Sequence, residues 1–171
     1  MAKSGTRQPI PKRIQVQVFE TDRWLCRWCL RPVVFPPAMR FLQEFVKAHG
    51  HSRQVAFYDL HWRRDLSPLL DELGASIDHV HAHAKGGSND PENLATICAK
   101  CNVRKGSLTV EEHLRRYKRI PVKSKHGEPQ RWDGLASVFV ILVDENPGLA
   151  TVTEKAWASA LKHAWMEPEP A

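Results

Sequence analysis

The apolar residues change spacing several times along the chain, and those changes divide it into elements. Residues 1–13 are polar and basic and are broken by Pro9 and Pro11, so they read as a flexible start rather than a packed segment. The first organised element covers residues 14–22 and leads into Trp24, Cys26, Trp28 and Cys29. A Cys-x-x-Cys turn followed by Arg31-Pro32 reads as a metal knuckle on a tight turn, with both tryptophans in the core. After Pro36-Pro37, the residues Met39, Leu42, Phe45 and Val46 recur at helical spacing until Gly50, which predicts a short amphipathic helix. Residues 55–62 are strand-like, and residues 68–74 read as a second short helix with Pro68 at its start and Gly74 past its end.

The period then shortens to two. Ile77, His79, His81 and His83 alternate with Asp78, Val80 and Ala82, which predicts an extended strand over residues 76–84 with Asp78 and His79 on opposite faces. Gly86-Gly87-Ser88-Asn89-Asp90-Pro91 forces a loop, and residues 94–97 suffice for a returning strand. A helix carrying Cys101, Asn102 and Lys105 ends or bends near Gly106, and Thr109-x-x-Glu112 is a capping box that starts the next. Residues 120–130 have linker composition. Beyond them, helical stretches over about 132–145 and 152–165 flank Asn146-Pro147-Gly148, and Trp157, Leu161 and Trp165 form an apolar stripe that packs on its own domain.

Composition narrows the class. At 171 residues one principal domain with an appendage is expected. The boundaries are a basic N-terminal arm over 1–20, a central domain over 21–120 with an insertion at 30–76, a linker over 121–131 and a helical extension over 132–171. The net charge of +6 is uneven, because residues 1–131 hold 23 Lys+Arg against 13 Asp+Glu while residues 132–171 hold 2 against 6. A basic body suits a polyanionic partner, since neutralised phosphates release counterions. No apolar run approaches the roughly 20 residues that span a bilayer, and the start lacks the apolar stretch of a secretory signal, so membrane association is not expected and a cytoplasmic location is. In that setting the four cysteines, in two Cys-x-x-Cys pairs, read as metal ligands rather than disulfides.

Cys26, Cys29, Cys98 and Cys101 can close a tetrahedral structural Zn2+ site around the segment between them. His79 is a candidate general base, because imidazoles titrate near neutrality and can take a proton from water. Asp78 offers a carboxylate and Asn102 an amide oxygen, a hard donor pair suited to Mg2+. Histidines 81 and 83 invite a metal-cluster reading, although a substrate-facing or solvated role is the commoner one. Residues Arg115, Arg116, Lys118 and Arg119 are either phosphate contacts or the wet face of a helix.

Ile77-Asp78-His79-Val80, Gly86-Gly87, Glu92-Asn93-Leu94 and Cys98-x-x-Cys101-Asn102-x-x-Lys105-Gly106 together resemble the HNH endonucleases of the ββα-metal fold, in their zinc-containing, restriction-like branch. The resemblance covers about residues 22–119, with its specific part in 77–106. It implies an α+β fold with a ββα-metal core, a four-cysteine zinc site, a helical insertion and a C-terminal helical extension. It further implies His79 as the base, Asp78 and Asn102 as ligands of a catalytic Mg2+ or Mn2+, and Asn93 as the brace of the loop that positions the base. Asparagine stands at Asn102 where many members have histidine, and Ala82 stands where proline is common. Lys85, Arg104, Lys105, Arg115 and Arg116 are the residues expected to meet DNA. The implied activity is DNA phosphodiester hydrolysis, in restriction, phage DNA processing or antiphage defence. The competing expectations are a nuclease subunit targeted by a protein partner, docked through the insertion or the C-terminal helices, and a zinc-dependent nucleic-acid-binding module without catalysis.

Overall fold

The structure, a computed structural model, describes residues 9–51, 68–83, 86–106, 108–116 and 132–166. The strand expected over 55–62, the linker, Lys85, Lys118 and Arg119 lie outside the described residues. Seven helices and one hairpin are described: α1 (Lys12–Thr21), α2 (Pro36–Ala48), α3 (Pro68–Leu73), β1 (Ala75–His79), β2 (Leu94–Cys98), α4 (Ala99–Lys105), α5 (Val110–Arg116), α6 (Ala136–Glu145) and α7 (Val152–Met166). The class is α+β.

β1 and β2 pair antiparallel from Ala75 opposite Cys98 to His79 opposite Leu94. All five residues of β2 are buried, so this strand is the floor on which α1 and α4 pack. The segment after the knuckle runs alongside: Val34 N–H donates to Leu73 O at 2.9 Å, and Val34 O accepts Ala75 N–H at 2.8 Å. The strand expected over 76–84 therefore stops at His79. Beyond it the Asn93 side chain replaces the ladder, accepting from His81 N–H at 2.8 Å and donating to His81 O at 3.2 Å.

The N-terminal arm expected over 1–20 is corrected over its described part. Lys12–Thr21 is a helix, and Val16, Val18 and Phe19 enter the core. Proline at position 11 ends the irregular start and feeds its carbonyl to Gln15 N–H at 3.1 Å. In α2 the inward residues are Ala38, Met39, Phe41 and Gln43, so of the expected stripe only Met39 is fully buried. The C-terminal helices are not an appended layer, because α7 packs on α1 and α6 on α2. Phe35 is the meeting point. It sits edge-on to Phe139 at 5.5 Å, to Trp157 at 5.2 Å and to Trp24 at 5.7 Å between ring centroids, joining the knuckle segment to both C-terminal helices. Such pairs contribute about 0.5–1.5 kcal/mol each beyond area burial.

Candidate active site

The knuckle is held from three sides. Cys26 N–H donates to Arg31 O at 2.8 Å, Leu30 N–H to Cys26 O at 2.7 Å, and Arg27 N–H reaches across to Thr96 O on β2 at 2.9 Å. Leu30 takes a positive φ of 61°, which closes the turn after Cys29. Asp22 fixes the crossing: one oxygen accepts Thr96 N–H at 2.7 Å and the other accepts Arg27 Nε–H at 2.9 Å. This brings Cys26 and Cys29 to Cys98, at the end of β2, and to Cys101, in the first turn of α4.

The four ligand sulfurs lie within 4.8 Å of one another, and Cys29 and Cys98 are 3.8 Å apart. Tetrahedral thiolates bound at about 2.3 Å would stand about 3.8 Å apart, so the set fits Zn2+ with little movement. Hydrogen bonding within the cluster, that with Cys101 foremost, brings the Cys98 thiol down to about 7 and lowers that of Cys29, while the thiols of Cys26 and Cys101 are pushed up, as crowding of four thiols in one place requires. A cationic collar stands beside them. Glu72 on α3 binds Arg31 at 3.0 Å and Lys100 at 2.8 Å, and it holds the Arg31 guanidinium above even its ordinary range.

β1 separates the chemistry of its two faces. On one face Ser76 and Asp78 meet α4: Asn102 Nδ2 donates to Ser76 Oγ at 3.2 Å, and Lys105 Nζ stands 2.9 Å from Asp78 Oδ2. That last contact is an ion pair without hydrogen-bond alignment at the carboxylate oxygen. With its amide nitrogen on Ser76, Asn102 keeps its oxygen for another partner. Carboxylate and amide oxygens therefore share the α4 side of the strand, a donor set that suits a hard divalent cation.

On the other face His79 is 3% exposed, and its Nε2 lies 2.9 Å from Asn89 Oδ1 in the glycine loop. The His83 ring stands edge-on to it at 5.6 Å, while His81 is turned outward with its backbone tied to Asn93. Among the described residues, His, Cys, Asp and Glu side chains cluster as a ligand set only at the four cysteines. Asn93 lies in the 3-10 turn Pro91–Asn93, and its Nδ2 also donates to Ser88 O at 2.8 Å. Gly87 is packed under this network: a Cβ there would fall 1.9 Å from His81 O and 2.9 Å from Asn93 Nδ2.

Of the basic residues expected at phosphate, Arg104, Arg115 and Arg116 are exposed on α4 and α5. Lys105 is corrected: at 4% exposed and paired with Asp78, it is an interior residue of the site. Two neighbours escaped the sequence reading. Asn89 was hidden among ordinary turn formers. His113, on α5, is buried against Trp28 with ring centroids 6.2 Å apart, and desolvation, then the Lys105 charge, pushes its imidazole below the usual range. Its signal was a histidine four residues after Thr109, which caps the helix.

A protein-family model described as HNH endonuclease matches residues 67–108, which span α3, the hairpin and α4 and include Cys98 and Cys101 but not Cys26 and Cys29. Neither the curated proteins nor the solved structures yield a match to this chain.

Proposed function

We propose that this chain is a divalent-metal-dependent HNH nuclease that hydrolyses DNA phosphodiester bonds with His79 as general base, a reading that the match of residues 67–108 to the HNH endonuclease model supports. The observation that carries this reading is the division of β1. A buried imidazole faces the loop, and a carboxylate with a nearby amide oxygen faces α4, one residue apart along the strand.

In this reading His79 takes a proton from water as the water oxygen forms its bond to phosphorus; the bond from phosphorus to the 3′ oxygen breaks, and that oxygen is protonated from solvent. Asp78 and Asn102 would hold the Mg2+ or Mn2+, with Asp78 using the oxygen that Lys105 does not pair. When bound, such a cation supplies charge to the crowded phosphorus and to the departing oxygen. Asn93 braces the loop opposite the base, and the four cysteines, which would hold Zn2+ as thiolates, would fix the knuckle to the start of α4. Arg104, Arg115 and Arg116 lie on the exposed faces that would run along the DNA backbone.

Plasmid DNA incubated with the purified chain and Mg2+ or Mn2+ tests this directly. His79→Ala is expected to lower the cleavage rate by about 10²–10⁴-fold, the usual contribution of a positioned base, with zinc content and fold retained. A His79→Ala protein that cuts at the wild-type rate, or a wild-type protein that binds DNA and never cuts it, refutes the assignment.

A further inference from the structure

The side-chain hydrogen bonds of Asn93 go to His81 and Ser88 rather than to the imidazole of His79. The contacts to His79 run instead through Asn89, whose Oδ1 lies 2.9 Å from Nε2. Both chain neighbours of Asn89 are fixed by Asn93: the Asn93 side chain donates to Ser88 O at 2.8 Å, and its backbone N–H donates to Asp90 O at 2.9 Å. The same residue accepts Val80 N–H at 2.8 Å, directly after His79. Asn89 and His79 are thus held at two ends of one small frame, and Gly87, with no room for a Cβ, lets that frame close.

We propose that Asn89 is the positioning residue for His79, a role that rests on the nuclease reading above. An amide oxygen only accepts, so Nε2 keeps its proton and the lone pair is left on Nδ1, the atom that would take the proton from water. When Nδ1 becomes protonated, the resulting imidazolium keeps its Nε2–H bond to the amide oxygen, which strengthens as the donor becomes charged. Because the ring is almost wholly buried, an Nε2–H deprived of that oxygen has no solvent to turn to. The proton then moves to Nδ1, and the base is lost without any change in the ring's place.

Asn89→Leu keeps the approximate size of the side chain and removes the oxygen; Asn89→Asp restores an oxygen. Nitrogen-15 spectra of the imidazoles at pH 8.5, with the His79 signal assigned by its loss in His79→Gln, read the tautomer in the full-length zinc-loaded protein. Wild type and Asn89→Asp are expected to show Nε2–H, and Asn89→Leu a shift toward Nδ1–H. In DNA cleavage, Asn89→Leu should lower kcat by about 100-fold with KM within about twofold, and Asn89→Asp should recover most of it. An unchanged tautomer in Asn89→Leu overturns the proposal, as does a loss of activity that Asn89→Asp fails to repair. Should Asn89→Leu not fold, the Asn89→Asp spectrum decides: Nδ1–H there also overturns it. Because the spectra need no substrate, failure of the nuclease reading would appear separately, as a wild-type protein with the stated tautomer and no cleavage.

Discussion

Lys105 holds Asp78 from a position 4% exposed, so its charge serves the site rather than a phosphate at the surface. Two outcomes separate these roles. Lys105→Met should cost on the order of 2 kcal/mol of stability, less than for a fully buried pair because the Asp78 side chain remains 19% exposed. The salt dependence of DNA binding should not change in that variant, whereas Arg115→Ala or Arg116→Ala should each reduce the slope by about 1. Urea unfolding and binding titrations at several salt concentrations measure both. His113 is the second interior charge question. Its imidazole is lowered chiefly by desolvation, so the unfolded chain takes up its proton at a higher pH than the folded one. Stability from this group is complete above the unfolded value near 6.5 and declines as pH falls from there toward the folded value. His113→Gln should therefore flatten the decline in urea midpoint between pH 7.5 and 5 relative to wild type, while zinc-linked loss at low pH remains in both. Positions 78, 79, 93 and 102 stood out in the sequence because each is a polar group in a fixed motif, and the structure brings 78 and 102 to the α4 side of β1 and 79 to the other. Asn89 and the inward turn of Lys105 were not, since the partner of a side chain is a property of three dimensions.

At the scale of elements, local signals located the hairpin, α3, α4 and the start of α5. The Thr109–Glu112 box forms reciprocally, with Thr109 N–H on Glu112 Oε2 at 2.7 Å and Glu112 N–H on Thr109 Oγ1 at 3.2 Å. The end of β1 was misplaced because polar alternation continues past His79 while the backbone ladder reaches only one bond further, Val80 N–H to Asn93 O; at His81 the Asn93 side-chain amide takes over. α1 was half seen, since its apolar residues follow a basic, proline-broken start and its burial depends on α7 and β2, which are remote in sequence. The joint before α6 was invisible for the same reason. Gly134 has φ of +69°, accepts Phe35 N–H at its carbonyl at 2.9 Å, and lies so close to Trp24 that a Cβ would meet the ring at 2.3 Å. Gly134→Ala combines overpacking with a disfavoured backbone, and about 1–3 kcal/mol of destabilisation is expected from the overpacking alone. Thermal melts compared with an exposed control such as Gly148→Ala, where nothing lies within 4 Å, test that cost.

Across the whole molecule, the thiolate cluster and the Phe35 cluster answer different parts of the stability question. The first joins the knuckle to β2 and α4; the second joins the knuckle to α6 and α7 through Phe139, Leu161 and Trp157. No helix among the described residues is long and apolar enough to cross a membrane; α6 buries Ala136, Phe139, Val140 and Val143 in this packing and leaves Val138 and Ile141 exposed. Metal removal should therefore not act uniformly. Structural zinc sites contribute roughly 10–16 kcal/mol in peptide models, as much as the roughly 5–15 kcal/mol of net stability that holds whole domains. Chelation, or Cys29→Ser, is expected to release the knuckle and the hairpin together and abolish cleavage. About one zinc per chain should leave as this happens. A truncation ending at residue 131 removes α6 and α7 and leaves every cysteine in place, yet it strips Phe35 of Phe139 and Trp157 and Phe41 of Phe139. If the C-terminal helices are part of the one core, that truncated chain will aggregate or melt well below the full chain even with excess Zn2+. A truncated protein with full zinc occupancy and the full-length melting temperature would instead make them a separate unit.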